Sequence, residues 1–173
     1  MRNFHKENIQ EHCHRVATIA HNLALVKNKL FGGDLNPDRV AVYALYHDTS
    51  EVITGDLPTP VKYFSKGIKS AYKEIEAEAS RKLLEMLPTE IRDEYEPILF
   101  GDDSDEHWIT VKQADKLCAY LKCVEERHTG NKEFLQAEKQ LRAAIDAQAD
   151  PAVSYFLKTF VPSFSLSLDE ISY

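Results

Sequence analysis

The sequence predicts an all-α protein, and three features carry that prediction. Apolar residues recur at alternating steps of three and four through several long segments. Prolines, glycines and capping residues punctuate those segments at intervals that suit about six to seven helices. The one stretch that alternates like a strand, Val161 to Leu168, has no partner strand in sight and reads as extended packing. With 173 residues and neither an internal repeat nor a low-complexity linker, the chain fits one domain able to bury about two-thirds of its unfolded surface.

The first helix begins near Glu11. His12, Val16, Ile19, Leu23, Val26 and Leu30 form one continuous stripe, which Phe31-Gly32-Gly33-Asp34 ends. His12 therefore lies on the inward face, at its N-terminal end. His21, on the same helix, reads as a hydrogen-bonded core histidine. Asn36 is the N-cap of the second helix and Pro37 its first residue. Here the stripe Val40, Ala44, His47, Glu51 runs beside Ala41, Leu45, Asp48, Val52, giving a broad inward face whose last turn is crowded with polar groups. Gly55 closes that helix, and Asp56-Leu57-Pro58-Thr59-Pro60 continues as a loop, because residues preceding proline avoid the helical region.

Lys66 to Leu87 is a long helix with a sparse stripe (Ile68, Tyr72, Ile75, Ala79, Leu83, Leu87) and a solvated face of paired charges such as Glu78 and Lys82. Pro88 opens another helix that runs to Phe100. Asp102, Asp103 and Asp105 invite comparison with a calcium loop, but the rest of that spacing is absent and an ordinary exposed loop is the better reading. Trp108 to His128 is strongly apolar on one side (Val111, Ala114, Leu117, Cys118, Leu121, Val124), with Asp115 set close to that side. Glu133 to Ala149 and Pro151 to Phe160 supply the remaining helices.

Composition narrows the function. Apolar residues make up 43% and charged residues 28%, as in soluble globular proteins. A net charge of −7 provides no basic footprint for a nucleic-acid polymer; a small anionic substrate stays open if a metal supplies local positive charge. No apolar run reaches the roughly 20 residues of a membrane span, and no signal-peptide core precedes the first helix. Cys13, Cys118 and Cys123 are odd in number and lack ligand spacing, which fits reduced thiols and a cytoplasmic location.

Three helices each bring ionisable groups inward: His12, the pair His47-Asp48, and Asp115. A buried carboxylate needs a partner, since leaving it unpaired costs several kcal/mol. Asp115 could find one in Lys112 or Lys116, and a single His-Asp pair is common by chance. Together, two imidazoles and two carboxylates in the order His, His-Asp, Asp form a donor set suited to one manganese, iron, cobalt, nickel or zinc ion rather than calcium. Two carboxylates neutralise a divalent ion, so an entering phosphate is not repelled.

The order His12, His47-Asp48, Asp115 resembles that of the HD-domain metal-dependent phosphohydrolases, which are helical bundles. Three longer strings are more specific: His47-Asp-Thr-Ser-Glu-Val-Ile-Thr-Gly-Asp-Leu-Pro-Thr-Pro-Val-Lys62, Lys112-Gln-Ala-Asp-Lys-Leu-Cys-Ala-Tyr-Leu-Lys122 and Phe160-Val-Pro-Ser-Phe-Ser-Leu-Ser-Leu-Asp-Glu-Ile171. They are similar to the 5′-deoxynucleotidase (YfbR-like) branch over essentially the whole chain. The resemblance implies a homodimeric enzyme that removes phosphate from deoxyribonucleoside 5′-monophosphates with one divalent metal such as cobalt or manganese. It makes His12, His47, Asp48 and Asp115 the metal ligands and Glu51 the general base, unless Glu51 only orients His47. Asp56, Leu57, Pro58 and Thr59 would line the nucleotide site, with Asp56 toward the sugar; an Asx-type turn is the competing role for Asp56. Two-metal HD proteins supply further histidines between the His-Asp pair and the last Asp, where this chain has only His107. The resemblance also implies that residues 1–173 are one HD domain without the family's usual N-terminal helix, whose Arg and aromatic residue meet phosphate and sugar; Arg2 or Arg15 are the candidates to stand in. Action on a nucleoside triphosphate or cyclic nucleotide, or nucleotide binding without catalysis, are the alternatives.

Overall fold

The computed structural model describes residues 7–57 and 65–171. Among them there is no strand, and seven helices run nine residues or more, in agreement with the all-α reading. The long helices α1 (Ile9–Phe31), α2 (Pro37–Tyr46) and α6 (Glu106–His128) build the core. Their contact faces carry small residues, Ala20, Ala24, Ala44 and Ala114, between Val16, Leu23, Val40, Val111, Leu117 and Leu121, all fully buried. Small side chains let the backbones approach, and the branched ones fill the space between them.

Local signals set the helix ends. Asn8 caps α1 in a reciprocal box: its side chain accepts the Glu11 N–H and its own N–H donates to Glu11, each at 3.0 Å. Gly32, at φ 70°, takes the left-handed position that ends α1. Asn28 holds the short connection to α2 by pairing with both backbone groups of Leu35, at 2.7 and 2.9 Å. The α8 helix (Pro151–Thr159), capped by Asp150, closes the core with Val153, Phe156 and Leu157. Helix α7 (Leu135–Asp146) adds Ile145 to it. Helices α3 (Glu51–Thr54), α4 (Lys66–Met86) and α5 (Arg92–Phe100) lie to one side, with Tyr72 of α4 donating its hydroxyl to the Gly55 carbonyl at 2.8 Å. A last short helix, α9 (Leu168–Ile171), follows.

Several expectations are corrected. The helix expected from Pro37 to Gly55 is two: α2 ends at Tyr46, and residues 47–50 form a turn before α3. Its hydrogen bonds span three residues, from Thr49 N–H to Tyr46 O and from Glu51 N–H to Asp48 O. The Thr49 hydroxyl also donates to the Tyr46 carbonyl at 2.7 Å, drawing that acceptor out of the α-helical ladder. Tightening to about three residues per turn means that Glu51 no longer stands one α-helical turn beyond His47. For the same reason Val52, 70% exposed, leaves the inward face; Leu45 and Leu30 are exposed as well. Ile68 and Ile75 of α4 are exposed, leaving Tyr72 and Ala79 as that helix's buried apolar contacts. Glu78 pairs with Arg81 in place of Lys82. The tail is not extended: Val161–Ser165 is a 3-10 turn, fastened by Ser163 Oγ on the Phe160 carbonyl.

A buried ammonium went unforeseen. Lys27 donates to Thr110 Oγ1 at 3.1 Å and lies 3.5 Å from Asp150 Oδ2, which also accepts from Gln113 at 2.9 Å. This cluster ties α1, α6 and α8 together.

Candidate metal centre

The sequence-predicted residues come from three elements. His12 occupies the first turn of α1, which the Asn8 box orients; His47 and Asp48 occupy the turn after α2; Asp115 lies midway along α6. All four side chains meet. His12 Nε2 is 3.4 Å from Asp48 Oδ2 and 3.3 Å from Asp115 Oδ1. His47 Nε2 is 3.1 Å from Asp48 Oδ2 and 3.9 Å from Asp115 Oδ1. Donor atoms of His12, His47 and Asp115 lie within 4.8 Å of one another. Donors about 2.1 Å from a shared ion lie no more than about 4 Å apart, as the imidazole–carboxylate pairs here do.

The His47 side chain is wholly buried. Its Nδ1 donates to the Ala44 carbonyl at 2.8 Å, which leaves the lone pair on Nε2. That Nε2 is shut away from water and makes no hydrogen bond. A buried ring nitrogen aimed at two carboxylates without a hydrogen bond is what a cation would satisfy, and the two-imidazole, two-carboxylate donor set fits a divalent transition metal.

Electrostatics describe the same point without an ion. Burial works against charging His12, yet Asp115 and Asp48 push its pKa up to about 10. Burial likewise opposes the charged form of His47, and Asp115 and Asp48 push it up to about 12. Burial would raise the carboxyls of Asp48 and Asp115; the facing His12 and His47 imidazoles instead hold both well below the usual carboxylate range. A doubly charged ion would take the place of protons on these two imidazoles, so metal and protons compete for one place.

The other predicted residues are placed less centrally. Glu51 is half-buried at the start of α3, one tight turn past Asp48. Asp56 is exposed and Leu57 half-buried, just after Gly55, whose φ of 70° turns the chain. Pro58 and Thr59 lie outside the described residues, as does Arg2. Arg15 is engaged: its guanidinium meets the Glu125 carboxylate at 2.9 and 2.5 Å, so the phosphate role considered for it has a competitor. His107 holds the acidic loop, with Nδ1–H on Asp105 at 2.7 Å and Nε2 accepting the Asn36 N–H at 3.2 Å. Asp105 itself caps α6. His21 is 41% exposed and faces Asp38, not the core. Sequence reasoning missed Glu7, whose Oε2 is 4.0 Å from His12 Nδ1, and Lys122, which holds it at 2.8 Å.

A family model described as 5′-deoxynucleotidase YfbR-like matches residues 1–164. The chain belongs to the YfbR-like 5′-deoxynucleotidase family. Among relatives of this family, a 5′-deoxynucleotidase of Vibrio cholerae is 56% identical over 99% of this chain and 89% of its own length. The 5′-deoxynucleotidase YfbR of Escherichia coli is 54% identical over 99% of this chain and 87% of its own. In structure, an HD-domain phosphohydrolase from Listeria innocua superposes with a TM-score of 0.82 at 24% identity, covering 99% of this chain and 83% of that one. The helical architecture is therefore that of an HD-domain protein.

Proposed function

We propose that this YfbR-like protein is a metal-dependent 5′-deoxynucleotidase, hydrolysing deoxyribonucleoside 5′-monophosphates to deoxyribonucleoside and phosphate. The observation that carries the reading is the convergence of His12, His47, Asp48 and Asp115 on one point, in a chain more than half identical to proteins named for this activity. Those four side chains hold one divalent ion. When bound, such an ion acts as a Lewis acid toward a phosphoryl oxygen and acidifies a water. His47 keeps its Nδ1 proton on the Ala44 carbonyl and presents Nε2. Glu51, one tight turn beyond Asp48, takes the proton of the attacking water. The residues Asp56, Leu57, Pro58 and Thr59 line the nucleotide, Asp56 toward the sugar.

Residues 1–173 form one HD domain on this reading, supported by the single core that α1, α2, α6 and α8 share. A second copy of the chain is the partner we assign. Its support is the apolar surface on α2 and α3, where Val42, Leu45, Val52 and Ile53 are 40–70% exposed. Three free, buried cysteines suit the reducing cytoplasm. No helix among the described residues is long and apolar enough to cross a membrane.

The test is phosphate release from deoxyribonucleoside and ribonucleoside monophosphates, triphosphates and cyclic nucleotides side by side, with cobalt or manganese and with a chelator, alongside elemental analysis of the purified protein. Metal-dependent release from the deoxy monophosphates is expected. Preference for triphosphates or cyclic nucleotides would overturn the substrate class, and nucleotide binding without release would overturn catalysis.

A further inference from the structure

His12 has two ring nitrogens, and the fold provides for each separately. Nε2 faces Asp48 and Asp115. Nδ1, on the other edge, faces Glu7, whose Oε2 lies 4.0 Å away. This carboxylate is only 19% exposed and accepts a hydrogen bond from Lys122 Nζ at 2.8 Å. Asn8 caps α1, so Glu7 stands just before the cap and His12 is the fourth residue after it. Those two positions meet at many helix starts, where an apolar pair fixes the entry angle of the chain. In this chain the pair is a carboxylate and an imidazole. Lys122 lies two turns past Asp115 on α6, so one helix supplies a carboxylate to one edge of the His12 ring and clamps the carboxylate at the other.

The distance of 4.0 Å is too long for a direct hydrogen bond, so the carboxylate acts through its charge. With the proton on Nδ1, the positive N–H edge faces Glu7. With the proton on Nε2, the Nδ1 lone pair would face a carboxylate, and the donor edge would point at the ion. Only the first tautomer can ligate at Nε2.

We propose that Glu7 is a positioning residue for His12: clamped by Lys122, its carboxylate keeps the imidazole in the Nδ1–H form with Nε2 turned to the metal. The inference rests on the reading of His12 as a ligand, and the experiment separates the two. Manganese and cobalt affinities are measured by titration calorimetry on the full chain for the parent and for Glu7→Gln, Glu7→Ala, His12→Ala and the Glu7→Ala/His12→Ala double variant. Glu7→Ala is expected to weaken metal binding about 10- to 100-fold, and the isosteric Glu7→Gln by less. In the His12→Ala background, adding Glu7→Ala should change nothing further, which a merely structural role would not produce. Parental affinity in both Glu7 variants, with metal lost in His12→Ala, overturns the role of Glu7 alone. An equal loss from Glu7→Ala with and without His12 overturns it too. Parental affinity in His12→Ala overturns the ligand reading, and this inference with it.

Discussion

His47, Asp48 and Glu51 lie within one tight turn, yet the turn assigns them different work. His47 and Asp48 point at His12 and Asp115, whereas Glu51 opens α3, its N–H bonded back to the Asp48 carbonyl. Asp48→Ala and Asp115→Asn should therefore lose bound metal and turnover together. Glu51→Ala should keep the metal and lose about 10²–10⁴-fold in rate. Metal content and phosphate release, measured on the same preparations, check this; loss of metal from Glu51→Ala at the level of Asp48→Ala would end its assignment as base. Gly101 is a residue-scale case of stability. It sits at φ 62° with Trp108 so close that a Cβ would come within 2.2 Å of the indole. Gly101→Ala should cost about 1–3 kcal/mol from backbone strain and overpacking, read as a lowered thermal midpoint with an intact metal site.

Elements meet most consequentially at Lys27, where α1 crosses α6 and the start of α8. Asp150 caps α8 through the Ala152 and Val153 amides at 2.8 and 3.0 Å while facing the Lys27 ammonium. Burial opposes ionisation of Asp150, but the Val153 amide and Gln113 hold its pKa down. Asp150→Ala removes the cap and the counter-charge of a buried cation at once, so a loss of about 3–5 kcal/mol in denaturant unfolding is expected. Lys27→Met should cost clearly less, because Asp150 keeps Gln113 and both amides. Equal losses would mean that the ion pair, and not the cap, dominates there.

For the whole molecule, the site couples folding to pH and metal. His12 and His47 have pKa values raised from 6.5, so their stabilisation of the metal-free protein is whole below pH 6.5 and fades as pH rises through about 10 and 12. Asp48 and Asp115 are lowered from 3.8, so their share is present above pH 3.8 and lost as pH falls through their depressed values. The cluster thus helps the metal-free fold most between pH 3.8 and 6.5. A divalent ion must displace the two imidazole protons, so its affinity moves the other way and rises with pH. Calorimetry in buffers of different ionisation enthalpy should show about two protons released per ion near neutral pH. The metal-induced rise in thermal midpoint should grow between about pH 6 and 9, and reach about 2.7 kcal/mol of stabilisation at a hundredfold excess over Kd. A pH-independent rise would contradict the competition.

The sequence by itself determined the all-α architecture, most helix ends and the identity of the four converging residues. Helical periodicity and capping are local: Asn36, legible as a cap, acts three residues ahead, and the caps Asn8, Asp105 and Asp150 that the structure adds act within the same reach. The order His12, His47-Asp48, Asp115 was legible because such groups on apolar stripes need partners. Only the tertiary structure decided what depends on contacts far along the chain or on competition for one acceptor. Thr49 takes the Tyr46 carbonyl and the second helix ends at Tyr46, so Glu51 no longer follows His47 by one α-helical turn, which a fixed 3.6-residue period could not foresee. Lys27 inside the core, Arg15 on Glu125 and Glu7 between His12 and Lys122 all join residues more than eighty positions apart or across a helix cap. A charged side chain reads as solvated in a sequence until the helix that brings its counter-charge is in place.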